Sequence, residues 1–223
     1  MNVILTSDFP TSPHPTVVQR MKAEAPQPRI AWVAADTAGG HAHFGDALSR
    51  FGELGFNHVE YCDIDEETDE VQLAYLYQFD IVYLSGGDPL RFRYNMVRTG
   101  LSGRLRQCAS LARLIVTASG GSLVLTPNVS LYRLQSESVD AVLDTRARFD
   151  GIGAVSYEIL PHVNRWNDEF LDKVSRYSAR VENDIIAMAD GAAVFPQTEH
   201  AFHYVGEVIR YRQGVRAEYA HDG

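Results

Sequence analysis

Leu114-Ile115-Val116-Thr117-Ala118-Ser119-Gly120-Gly121 is the stretch on which the fold of this chain turns. Its first half is a short apolar run rich in β-branched residues, as a strand buried on both faces tends to be. It passes without a spacer into a turn of small residues that carries one hydroxyl. A nucleophile elbow is built this way: the reactive residue sits on a strained strand-to-helix turn, and the positions two before and two after it must be small. Thr117 and Gly121 meet that demand around Ser119, whereas centring the turn on Ser122 places Val124 in the crowded position. The plainer alternative is a Gly-rich turn in which Ser119 only caps a helix.

Outward from this stretch, Asn2 to Thr6, Ile30 to Ala34, His58 to Cys62 and Ile81 to Leu84 also read as buried strands, with helical periods between them. Phe44, Leu48, Phe51 and Gly55 follow one helical face to a glycine stop, and Leu101, Leu105, Cys108 and Ala112 repeat the spacing. Strands alternating with helices imply crossover connections and a mostly parallel sheet. The acidic run Asp63, Asp65, Glu66, Glu67, Asp69 and Glu70 precedes Leu73, Leu76 and Tyr77, and reads as a helix start favoured by the dipole rather than as a cation site. After Phe149 the texture changes to a strand near Val155 to Leu160, a helix carrying Trp166, Phe170, Val174 and Tyr177, and short runs split by the hairpin signal Asp190-Gly191. The expectation is an α/β three-layer sandwich with a central, mostly parallel sheet finished by antiparallel C-terminal strands, in one domain over residues 1–223.

Composition narrows the function. A chain of 223 residues that is 45% hydrophobic buries a full core without disulfides or a structural metal. Twenty Lys and Arg against 29 Asp and Glu give a net charge of −9 and no basic stripe, which argues against nucleic acid as a partner. The start of the chain lacks the pattern of a secretory signal, and no run approaches a membrane span, so a soluble cytoplasmic protein is expected. Cys62 and Cys108 lack metal-ligand spacing and read as reduced, buried thiols.

Two more segments carry chemistry. Tyr83-Leu84-Ser85-Gly86-Gly87-Asp88-Pro89 is a second strand ending in a Gly-rich turn, whose backbone amides suit an anion. If its strand neighbours that of the elbow, the N–H groups of Gly87 and Gly120 form an oxyanion hole; a plain turn is the alternative. Among eight histidines, His162 follows a strand directly in Leu160-Pro161-His162-Val163-Asn164, which recommends it as the base for a serine nucleophile. His41 and His43 have no accompanying ligand cluster, and His200 and His203 are spaced to opposite faces of a strand.

Together, Leu84-Ser85-Gly86-Gly87-Asp88-Pro89-Leu90, Ala118-Ser119-Gly120-Gly121 and Pro161-His162 resemble, in order and spacing, the dipeptidase E and cyanophycinase family of serine peptidases, which shares the class I glutamine amidotransferase fold. The resemblance implies Ser119 as nucleophile, His162 as general base, Gly87 and Gly120 as oxyanion donors, no cofactor or metal, and short peptides as substrates, with an acidic N-terminal residue as the family-based expectation. A homodimer is left open. Gly120 stands where the family usually has Ala, and the short connection after His162 lacks the family's Arg for an N-terminal Asp, leaving Arg165, or Arg91 and Arg93, as substitutes. The family's orienting acid lies between nucleophile and base. It does not line up without an insertion here, so Glu137 is the expected third member of the triad, with Asp140 as runner-up. Hydrolysis of another amide, such as a cyanophycin-like peptide, and a non-catalytic module that binds a small anion are the alternatives.

Overall fold

The computed structural model describes residues 2–65, 74–110, 113–198 and 200–219, without the side chains of 108–110. In chain order the elements are β1 (Val3–Thr6), α1 (Pro15–Lys22), β2 (Arg29–Val33), α2 (Thr37–Glu53), β3 (His58–Cys62), β4 (Ile81–Leu84), α3 (Pro89–Thr99), α4 (Leu101–Ser110), β5 (Leu114–Ala118) and the short α5 (Gly120–Leu123). They continue as α6 (Val139–Thr145), β6 (Glu158–Leu160), α7 (Asp168–Ser178), β7 (Ile185–Met188), β8 (Ala193–Pro196), β9 (Phe202–Val205), β10 (Val208–Arg212) and β11 (Val215–Glu218).

The apolar runs β1, β4 and β5 are buried at every position because helices cover both of their faces. They lie side by side in a seven-stranded sheet of order β3-β2-β4-β5-β1-β8-β9. The five strands β1 to β5 run parallel, and β8 and β9 extend the sheet antiparallel. Alternation along each strand sends Val3, Leu5, Val82 and Leu84 to one face, against Phe92 and Met96 of α3 and Leu101 and Leu105 of α4. Ile4, Trp32, Tyr83 and Val116 point the other way, against Val17 and Met21 of α1 and Phe51 of α2. Three layers result. The register pairs Thr6 with Ala118 and Leu84 with Thr117, so β1, β4 and β5 end together at one edge. In such sheets ligands gather at the carboxyl ends of the strands.

The C-terminal third departs from expectation in a way that matters for the site. Only β8 and β9 finish the central sheet; β6, β7, β10 and β11 form a separate four-stranded sheet of order β11-β10-β7-β6. Leu160, Ile185, Ala187 and Ile209 of this sheet pack against Phe170, Val174 and Tyr177 of α7. The Asp190-Gly191 signal is therefore not a hairpin. β7 already has β6 and β10 on its two sides, so the turn, with Gly191 at φ 81°, carries the chain from one sheet to the other. Gly55, at φ 86°, stops α2 as its spacing predicts, but Leu48 is exposed and does not join the packed face. The helix expected after the acidic run falls largely outside the described residues, as do the side chains of Cys108 and Ala112. Asp65 instead pairs with Arg91, and Asp63 accepts from the Thr37 hydroxyl.

Candidate active site

Ser119 has φ 48° and ψ −115°, a conformation that L residues rarely adopt. Two sets of backbone bonds hold it there. Its own N–H donates to Thr6 O at 3.1 Å, continuing the β1 ladder, while its carbonyl accepts from Ser122 N–H at 2.9 Å to start α5 without a connecting residue. The turn tolerates no side chain at Gly121, where a Cβ would lie 2.4 Å from Leu84 O. Ser122 is fully buried, donates to Thr6 O at 2.8 Å and bonds the Thr117 hydroxyl at 2.7 Å, so it braces the elbow and leaves Ser119 as its apex.

The loop after β4 lies directly against this turn. A Cβ on Gly120 would stand 2.1 Å from Gly87 O, so the two backbones approach more closely than an alanine permits. Gly87 itself, at φ 129°, occupies a conformation open to glycine. Among the described residues neither the Gly87 nor the Gly120 N–H has a backbone or side-chain acceptor. The next residue, Asp88, caps α3 by accepting from Leu90 N–H at 2.8 Å, which fixes the end of the loop.

His162 also has a positive φ, 59°, and its N–H donates to the buried Ser7 hydroxyl at 2.9 Å. This turn aims its ring back across the gap between the sheets. Nε2 lies 2.9 Å from Ser119 Oγ, and Nδ1 lies 2.7 Å from Asp190 Oδ1. A carboxylate accepts only, so Nδ1 carries the proton and Nε2 is free to accept from the serine hydroxyl. The second Asp190 oxygen accepts from Arg165 Nε at 2.5 Å and from Asn164 Nδ2 at 3.2 Å. Asp8 steadies the same turn, accepting from Gly191 N–H at 2.9 Å and lying 3.5 Å from Arg165. Partial burial pushes the Asp190 carboxyl up, but the hydrogen bonds from His162, Arg165 and Asn164 outweigh it and hold the group below the usual carboxylate range.

The structure thus brings Ser119, His162, Gly87 and Gly120 to one place, and the acid beside them is not the expected one. Glu137 is held by Arg133, four residues before it, through two contacts of which one is 2.7 Å, and Asp140 is paired with Arg180. Neither reaches His162, because the segment between elbow and base runs away into α6. Arg165 is tied to Asp190 and Asp8 while its half-exposed side chain also lines the crevice beside Ser119, Arg91 is on Asp65, and Arg93 donates to Asp150 O at 2.6 Å. The His41 ring packs on Tyr61, and His200 bonds Ser156 at 2.8 Å. Sequence reading missed Asp190 because Asp-Gly after an apolar run signals a turn, and nothing local says that the turn crosses between sheets.

Two cavities meet at Ser119. A crevice of about 610 Å³ is lined by charged groups that include Asp8, Asp36, Asp46, Arg50 and Arg165. A smaller pocket of about 220 Å³ lies on the other side, and Gly87, Ser119 and His162 border both. Among the described residues no helix is long and apolar enough to cross a membrane.

The family model for peptidase family S51 matches residues 6–204. An uncharacterized peptidase of Listeria monocytogenes is 26% identical over 118 residues, 53% of this chain and 55% of that protein. A second uncharacterized peptidase, from Listeria innocua, is 25% identical over 112 residues, 50% of this chain and 52% of that protein. The matched segment spans about half the length of these curated relatives. Among solved structures, a peptidase from an acI-B1 actinobacterium superposes with a TM-score of 0.73 at 16% identity, covering 99% of this chain and 94% of that one. A Listeria monocytogenes protein assigned to peptidase E gives 0.67 at 21% identity, covering 95% and 98%. At these identities the solved structures speak for the fold.

Proposed function

We propose, of a chain that belongs to peptidase family S51, that it is a serine peptidase cleaving short peptides through an acyl-enzyme, with Ser119, His162 and Asp190 as its triad. The observation that carries this reading is the continuous relay of 2.9 Å from Ser119 Oγ to His162 Nε2 and 2.7 Å from His162 Nδ1 to Asp190. Ser119 Oγ attacks the peptide carbonyl while His162 Nε2 takes its proton. The carbonyl oxygen becomes an anion between the N–H groups of Gly87 and Gly120, which are free to donate and need no reorganisation. Collapse of the tetrahedral adduct breaks the C–N bond, and His162 returns its proton to the departing amine. Water then attacks the acyl-enzyme by the same route, with His162 as base.

Asp190 fixes the tautomer of His162 and stabilises the imidazolium that forms. Arg165, first expected to read the substrate, becomes in this reading a positioning residue: together with Asn164 and Asp8 it holds Asp190 and its turn against the base. Ser119→Ala should lower dipeptide turnover by at least about 10⁴-fold while the circular dichroism stays unchanged, and a fluorophosphonate probe should label Ser119 and not Ser122. Hydrolysis that persists in Ser119→Ala removes the assignment.

A further inference from the structure

We propose that the 220 Å³ pocket beside Ser119 receives an apolar side chain flanking the scissile bond, so that this peptidase selects Leu-like or Phe-like residues there and rejects acidic ones. The inference rests on Ser119 being the nucleophile. It departs from the N-terminal Asp to which the sequence resemblance points.

The lining decides the chemistry. Leu123, Tyr132, Leu160, Pro161, Trp166 and Phe170 are half of the twelve residues in its wall, and no Lys, Arg, Asp or Glu of the described residues lines it. Leu123 and Leu160 are buried beneath it, and the Trp166 and Phe170 rings lie 4.3 Å apart at 32° to form one side. The polar atom of Trp166 is already used, since its indole N–H donates to Pro161 O at 2.9 Å, so this residue offers a ligand only its apolar faces. Burial and the nearby Asp88 raise the pKa of Tyr132, which keeps its phenol neutral. With the Gly87 and Gly120 N–H groups taken by the peptide carbonyl and His162 engaged with Ser119, a side-chain carboxylate filling this space would lose its hydration and meet no Lys or Arg, a cost that an uncompensated buried charge does not recover.

Size sets the limit on the side chain. At roughly 30 Å³ of liquid per water molecule, 220 Å³ corresponds to about seven waters, which suits one aliphatic or aromatic side chain and not a second residue. The rest of the peptide, with its charged termini, falls in the larger crevice, where acidic and basic groups are both present. Because Gly87, Ser119 and His162 border both spaces, filling the small pocket also holds the peptide carbonyl over the nucleophile.

The experiment measures kcat/KM for two dipeptide series, X-Ala and Ala-X, with X as Ala, Leu, Phe, Asp and Lys. In one series Leu or Phe should exceed Ala by about 10–100-fold, the range expected for burying an apolar side chain, with Asp and Lys below Ala. Gln135 lies exposed on the rim, so Gln135→Arg adds a cation there without disturbing the core; it should lower the Leu-to-Asp ratio by at least about 10-fold in that same series. A flat profile, a wild-type preference for Asp, or a ratio that Gln135→Arg leaves unchanged overturns the proposal. If no dipeptide is cleaved, the peptidase reading fails, and the pocket is judged alone by titrating N-acetyl-leucinamide and N-acetyl-aspartamide against tryptophan emission. A response to the leucine amide only, abolished in Trp166→Phe, sustains the pocket; equal or absent responses overturn it.

Discussion

Replacing Asp190 by Asn tests the site most sharply, because the substitution preserves shape and removes one charge. Asp190 accepts on both oxygens, from His162 Nδ1 at 2.7 Å on one and from Arg165 and Asn164 on the other. An amide has only one acceptor. If its oxygen faces His162, its NH₂ group meets the N–H donors of Arg165 and Asn164; if it faces Arg165, the NH₂ meets Nδ1, which must give up its proton. In that orientation the proton moves to Nε2, and His162 can no longer accept from Ser119. Either outcome also leaves the imidazolium of the transition state without its counter-charge. The loss expected for a wrong tautomer with intact geometry is about 10³–10⁴-fold in kcat, or about 4–5.5 kcal/mol of barrier at 1.36 kcal/mol per tenfold. Steady-state hydrolysis of the best dipeptide, with circular dichroism as a folding control, measures it. Glu137→Gln is the paired control: its carboxylate is engaged by Arg133 away from the site, so its kcat should stay within about twofold of the parent. An Asp190→Asn variant retaining more than about a tenth of the parent kcat, or a Glu137→Gln variant losing more than about a hundredfold, would refute the reasoning.

Four further outcomes follow from the same geometry. Gly120→Ala, although it restores the residue usual at this position in the resembling family, drives a methyl into Gly87 O and should lower kcat by about 10²–10³-fold as one oxyanion donor is displaced; parent-like activity would show that the loop yields instead. Arg165→Ala loosens Asp190 but leaves the small pocket untouched, so kcat should fall by about tenfold while the ranking of X residues in the series that fills that pocket stays fixed, and a changed ranking would return Arg165 to substrate recognition. The Asp190 carboxyl has a folded pKa below its unfolded value, so its contribution to stability is present above about pH 4 and disappears as pH falls through the lower folded value; urea melts of the parent and Asp190→Asn should still differ at pH 5 and draw together only as pH falls below about 4. Glu158 is wholly buried with Arg146 at 2.7 Å and the Tyr177 hydroxyl at 3.1 Å, so Glu158→Ala should cost about 3–5 kcal/mol in the same melts by stranding the Arg146 charge.

The sequence by itself determined the central sheet, the elbow and the identity of nucleophile and base as candidates. The physical reason is locality. A strand buried on both faces must be a run of apolar residues, as Leu114 to Ala118 and Ile81 to Leu84 are, and a turn at φ 48° beside Leu84 O accepts only small neighbours, as Gly120 and Gly121 are. Such demands are met within eight residues and can be read there. The same holds for the Gly87 turn and for Gly55 at the end of α2, where the backbone conformation selects the residue.

Partnership between distant segments was decided only by the tertiary structure. Asp190 lies 28 positions from His162 and Glu137 lies 25, so distance along the chain does not separate them. What separates them is that β7 takes β6 and β10 as neighbours, which forces the Asp190-Gly191 turn to cross between two sheets and delivers its carboxylate to Nδ1, while Arg133 captures Glu137 within its own turn. The character of the pocket was hidden for the same reason. Leu123, Tyr132, Leu160 and Trp166 are ordinary apolar residues on four segments, and they become a recognition surface only when α5, β6 and the approach to α7 converge on Ser119. Periodicity in a sequence says which side chains must leave water; packing alone says which of them face each other.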